Sequence, residues 1–227
     1  MNTAPVIKCL KATVSCAAIA LLGNTMSLSS TYGWDSDPDE ARIRRGFEIA
    51  PVPLNLTNKD RELVGLGSYL VNAVAGCNDC HSAGPATQYA PDGNPYFKGA
   101  PPKVVNQATY LGGGNNFGAL LPGTPNIVSR NLTPDRTGRP AGGLSFAAFL
   151  HIIRTGEDPD HLHPNCSVSI TANCFPNDQP FNGDFLQIMP WVDYHSMRER
   201  DLRAIYEYLS AIPCVAGPPA GVLHNDC

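Results

Sequence analysis

Cys77-Asn78-Asp79-Cys80-His81 constrains this 227-residue chain more than any other feature. Two thiols three residues apart can both form thioether links to one porphyrin, and a histidine at the next position can then reach the iron. Other chemistries use similar spacings, and each makes its own demand. A zinc site needs two further Cys or His ligands, and beyond His161-x-His163 the chain offers only cysteines that pair among themselves. A thioredoxin-like dithiol follows a strand and opens a helix, whereas here a helical pattern precedes the motif. The sequence therefore predicts one covalent haem c, cofactor-bound by Cys77, Cys80 and His81, with His81 as a metal ligand.

The elements around the motif read as mainly α. Thr57-Asn58-Lys59-Asp60 resembles a capping box, and Leu63, Val64, Leu66, Leu70, Val71 and Val74 recur at helical spacing, which predicts a helix over 58–75 ended by Gly76. Gly67 inside it costs about 1 kcal/mol relative to Ala, so it is either tolerated or permits close approach of another helix. A second helix is predicted over 145–155, capped by Ser145 and left through Gly156. A third opens at Ser196-Met197-Arg198-Glu199, carries Leu202, Ile205, Tyr206 and Leu209 on one face, and stops before Pro213. Residues 82–143 and 157–188 are irregular, with no strand signal. With 43% hydrophobic residues, only 16% charged, and 21 each of Gly and Pro, these stretches read as ordered loops wrapped around something large.

Residues 1–30 read as a signal peptide: Lys8 and Lys11 precede an apolar run, Ala12 to Gly23, too short to span a bilayer. Residues 31–56, with Pro38, Pro51 and Pro53, read as an extended arm. The net charge is −4, and the leader holds two lysines and no acid, so the exported chain is more acidic still. That balance argues against nucleic acid as a partner, and no later segment reads as transmembrane. Cys166, Cys174, Cys214 and Cys227 remain once the leader and the motif are set aside. Local pairing, Cys166 with Cys174 and Cys214 with Cys227, closes two short loops in an oxidising compartment.

One haem motif needs a second axial ligand, from His151, His161, His163, His195, Met189 or Met197. Met189 is the choice. Pro190 holds its backbone extended, so its thioether stands off the helix and can point at a metal. Met197, inside the predicted capping box, reads as a packing residue. His161 and His163 read as residues of a polar surface loop.

The chain resembles class I c-type cytochromes, and more narrowly the cytochrome domains serving membrane-associated alcohol and aldehyde dehydrogenases of bacteria. The carrying residues are Gly67-Ser68-Tyr69-Leu70, Cys77 to His81, Asn131-Leu132-Thr133-Pro134-Asp135, Arg154-Thr155-Gly156, Met189-Pro190-Trp191 and Asp201 to Leu209. The resemblance covers 60–213. It implies a class I cytochrome c fold, with crossed N- and C-terminal helices around one haem, in a domain spanning 57–213. An insertion at about 162–187 and a tail at 214–227 are additions to that pattern.

The resemblance places Asn131 and Arg154 near the haem edge, Arg154 beside a propionate, and Trp191 against the Met ligand. The alternative for the first two is loop hydrogen bonding and a solvated helix end. It also implies a periplasmic electron carrier rather than an enzyme, taking electrons from a dehydrogenase and passing them to an oxidase or another cytochrome, in a peripheral membrane complex. The competing expectation is a haem enzyme or sensor with a weak or open sixth position. Relatives usually carry three haems in three domains, and this chain carries one motif.

Overall fold

Pro38 sits where a proline does least harm to a helix, at its first position, and Asp39 and Glu40 follow where the positive end of the helix dipole favours acids. Helix α1, Pro38–Ile49, results. This corrects the expected extended arm: of its described residues, 38–49 are helical and 50–56 lie outside any helix or strand, with Asn55 N–H donating to the Ala211 carbonyl at 2.8 Å. The computed structural model describes residues 38–83, 85–99, 103–159, 162–166, 174–177, 180–217 and 225–227. The predicted leader, the first residues of the arm and His161 lie outside them.

Helix α2, Arg61–Tyr69, starts three residues later than a Thr57 cap would place it. Asp60 is the cap: one carboxylate oxygen accepts from Glu62 N–H at 2.9 Å and Leu63 N–H at 3.1 Å. Asn58, at φ 58°, turns the chain just before it. The helix runs on as a single π-helical turn, Leu70–Val74, in which Ala75 N–H reaches back to the Leu70 carbonyl. Gly76, at φ 59°, breaks the direction and starts the short helix α3, Cys77–Cys80. Then come α4, Pro85–Gln88, a two-stranded antiparallel hairpin of β1, Asn116–Ala119, and β2, Asn126–Val128, and α5, Pro140–Gly143. Helix α6, Phe146–Thr155, has the predicted Ser145 cap and left-handed Gly156 exit. Short α7, Trp191–Tyr194, leads into α8, Glu199–Leu209, whose cap residue is Arg198 and which uses no Ser196 capping box.

Two glycine contacts organise the helices. A Cβ on Gly67 would lie 1.9 Å from the Ala204 carbonyl oxygen and 2.7 Å from Tyr208 Cβ, so the backbones of α2 and α8 touch there. The face that meets Gly67 is Ala204 and Tyr208, while Tyr206 packs on Phe146 and Phe149 of α6. A Cβ on Gly65 would collide with Ile43 and Phe47, so α1 sits equally close on another side of α2. Val64, Leu66, Val71, Leu202 and Leu209 fill the core between them.

Two disulfides, Cys166–Cys174 and Cys214–Cys227, are formed as the loop lengths implied. The second holds the tail against 131–134, where Asn225 donates to the carbonyls of Thr133 and Pro134. Among the described residues no helix is long and apolar enough to cross a membrane.

Candidate functional site

The π-helical turn and Gly76 deliver Cys77, Cys80 and His81 to the rim of one cavity of about 290 Å³. The motif is pinned from outside itself. Asn78, buried, accepts from Leu111 N–H at 2.9 Å, and the His81 carbonyl accepts from Gly113 N–H at 2.9 Å. A Cβ on Gly113 would stand 2.5 Å from Asn131 N, so only glycine lets the 111–113 segment lie against 130–131. That approach places the Arg130 carbonyl 2.7 Å from His81 Nδ1. A carbonyl only accepts, so Nδ1 carries the proton and Nε2 keeps its lone pair. Burial also pushes the imidazole pKa down, against the opposing pull of that hydrogen bond. The result is a neutral histidine of fixed tautomer, the form that binds a metal.

Neither motif cysteine forms a disulfide. Burial pushes the Cys77 thiol up to about 12, and burial followed by the Asp79 carboxylate raises Cys80. Both are protonated at neutral pH, the reverse of what a nucleophilic dithiol requires.

Most of the cavity wall is apolar: Phe149, Ile152 and Ile153 from α6, Leu202, Ile205 and Leu209 from α8, and Leu186, Ile188, Met189 and Pro190. Met189 lines it, as expected. Met197, read as a packing residue, does pack against the hydrophobic core, and it lines the cavity as well. The polar part of the wall is Ser129, Arg130, Asp158 and Gln187.

The remaining predicted residues sit elsewhere. Arg154 donates to the His195 carbonyl rather than reaching the cavity, since the last turn of α6 points that side chain at the loop after α7. Asn131 is fully committed: its Nδ2 donates to the Val215 carbonyl at 2.7 Å and its Oδ1 accepts from Thr133 N–H at 2.9 Å. Asn131 matches its alternative of loop hydrogen bonding, whereas Arg154 is half-buried and bonded to a loop carbonyl rather than a solvated helix end. Trp191 braces the Met189 segment from behind. Its indole N–H donates to the Leu186 carbonyl at 3.1 Å, and its ring lies where a Cβ on Gly156 would be, 2.3 Å away. His163 is held by Asp184 at 2.7 Å, and the two cysteines near it are bonded to each other, so they offer no thiolate to a metal. Arg130 and Asp158 carried no sequence signal, because their importance comes from contacts 49 and 28 residues away.

The donor set suits the haem that the motif predicts. Two thiols, a neutral imidazole with Nε2 available and two thioethers line one largely apolar cavity. No protein-family model matches the chain, and no curated protein matches it either.

Proposed function

We propose that the chain is a monohaem c-type cytochrome of the class I fold, carrying single electrons in the periplasm between a dehydrogenase-type donor and a respiratory acceptor. The observation that carries this reading is the Cys77/Cys80/His81 group on the rim of an apolar cavity, with His81 Nδ1–H already donating to the Arg130 carbonyl. Contact of the helix before the motif with the last helix, through Gly67, supports the fold assignment. Two disulfides are compatible with export.

In this reading Cys77 and Cys80 would hold the cofactor covalently, and His81, through Nε2, and Met189 would bind its iron. A covalent haem held there would supply a one-electron iron couple, whose potential a thioether ligand raises. The residues of the chain orient the ligands, exclude water through the α6 and α8 side chains, and leave no position for substrate at the metal. The protein is then a carrier, not an enzyme.

The test is the visible spectrum of the exported protein in both redox states, with Met189→Ala and Met197→Ala compared. Met189→Ala should abolish the thioether-to-iron absorption of the oxidised form and lower the reduction potential, while Met197→Ala keeps both. The reverse pattern would move the ligand to Met197. Persistence of the absorption in both variants would refute methionine ligation.

A further inference from the structure

Arg130 touches the candidate site twice, through different parts of the residue. Its backbone carbonyl accepts the proton of His81 Nδ1 at 2.7 Å. Its side chain turns into the cavity wall and donates to the Asp158 carboxylate at 2.6 Å, and a second guanidinium nitrogen donates to the Ala141 carbonyl at 3.3 Å. The Asp158 side chain is only 3% exposed. A carboxylate withdrawn this far from water costs several kcal/mol unless paired, so the geometry of the pair is tightly specified.

Asp158 in turn lies on a segment bridged to the one that carries Met189. Its neighbour Glu157 pairs in an antiparallel bridge with Phe185, and Leu186 N–H donates to the Gly156 carbonyl at 2.8 Å. The Trp191 ring, seated on Gly156, closes the same unit. One ion pair therefore joins the backbone that orients His81 to the backbone that presents Met189.

We propose that the Arg130–Asp158 pair is a positioning device that holds both axial-ligand segments in register and sets the charge beside the iron. This rests on the haem reading above. Oxidation adds one positive charge to the cofactor, so a buried charge in the wall biases the couple by its sign. Asp158→Asn removes a buried negative charge from the wall and should raise the reduction potential. Arg130→Gln removes a positive charge from the wall and should lower it. Both should weaken the thioether-to-iron absorption, because the two ligand segments lose their tie. Arg130→Lys, which keeps the charge, should return the potential towards that of the unmodified protein.

The experiment is redox titration of the haem-loaded exported protein, with the absorption read in the same samples. Opposite shifts for Asp158→Asn and Arg130→Gln, with recovery in Arg130→Lys, support the proposal. Shifts of the same sign, or unchanged potential and absorption, overturn it. Should Arg130→Gln fail to fold, a potential in Asp158→Asn that is unchanged or falls is enough to overturn it. Lack of covalent haem in the unmodified protein would refute the underlying reading and the proposal with it, and the unmodified sample alone reports that outcome.

Discussion

Hydrogen bonds to single atoms decide what many of these side chains remain able to do. His81 gives one ring nitrogen to the Arg130 carbonyl and so keeps the other for a ligand. Asn131 spends both ends of its amide on Val215 and Thr133. Asp184 accepts from His163 N–H at 2.9 Å and from its Nδ1 at 2.7 Å, and these bonds, the backbone one first, hold its carboxyl below the ordinary 3.8. A carboxyl depressed in the folded state adds stability above pH 3.8 that is lost as the pH falls through the folded value. Asp184→Asn should therefore lower the melting temperature by a constant amount above about pH 5, and the gap from wild type should close on acidification. Calorimetric scans down through the acid range check this, and a gap that does not narrow would discount the Asp184 contribution.

At the scale of elements, helix contact overrides intrinsic preference. Replacing a glycine inside an exposed helix by alanine stabilises by about 1 kcal/mol. Gly67→Ala should do the opposite, because the new methyl would stand 1.9 Å from the Ala204 carbonyl oxygen. Separation of α2 from α8 should cost about 1–3 kcal/mol net, as overpacking typically does, measured by urea unfolding. Stabilisation by Gly67→Ala would show that the two helices are not in this contact. Helix α1 illustrates the same override from the other direction. The prolines and polar residues of 31–56 suggest an arm, yet Gly46 and Gly65 let α1 lie against α2, and Ser68 Oγ donates to the Gly46 carbonyl at 2.7 Å. Asp39, buried, pairs with Arg42 beside it and with Arg200 on α8, so α1 is tied to both partners.

Across the whole molecule, the two ends of the described chain are drawn onto the segments that frame the cavity. The tail is the clearest case. Cys214 and Cys227 close a loop with a sequence separation of 13, and Asn225 inside it fills the hydrogen-bonding needs of Thr133 and Pro134. Removing both thiols, Cys214→Ser with Cys227→Ser, should lower stability by about 3 kcal/mol. Amide exchange should accelerate first at 131–133 and 215, where the tail's hydrogen bonds land, while the α2–α8 contact stays protected. Uniform acceleration would mean that the tail is not a separate cooperative unit.

Much was readable from the sequence alone, wherever the signal is local. The spacing of Cys77, Cys80 and His81, the helical periodicities of α2, α6 and α8, the Ser145 and Gly156 boundaries of α6 and the two short disulfide loops depend on neighbours a few residues apart. Local chemistry also led astray where two local rules competed. Asp60 won the cap from Thr57 because one carboxylate oxygen takes two backbone N–H groups, and the capping-box pattern at Ser196 lost to a start at Arg198. Only the tertiary structure decided what depends on distant segments meeting. Arg130 reaches His81 from 49 residues away, Gly113 matters through Asn131, Arg154 turns to His195, and Met197 joins Met189 at the cavity. The physical reason is that periodicity and turn chemistry are written in adjacent residues. A buried hydrogen bond or ion pair is chosen instead by which chain segments packing forces together, and no window along the sequence contains both partners.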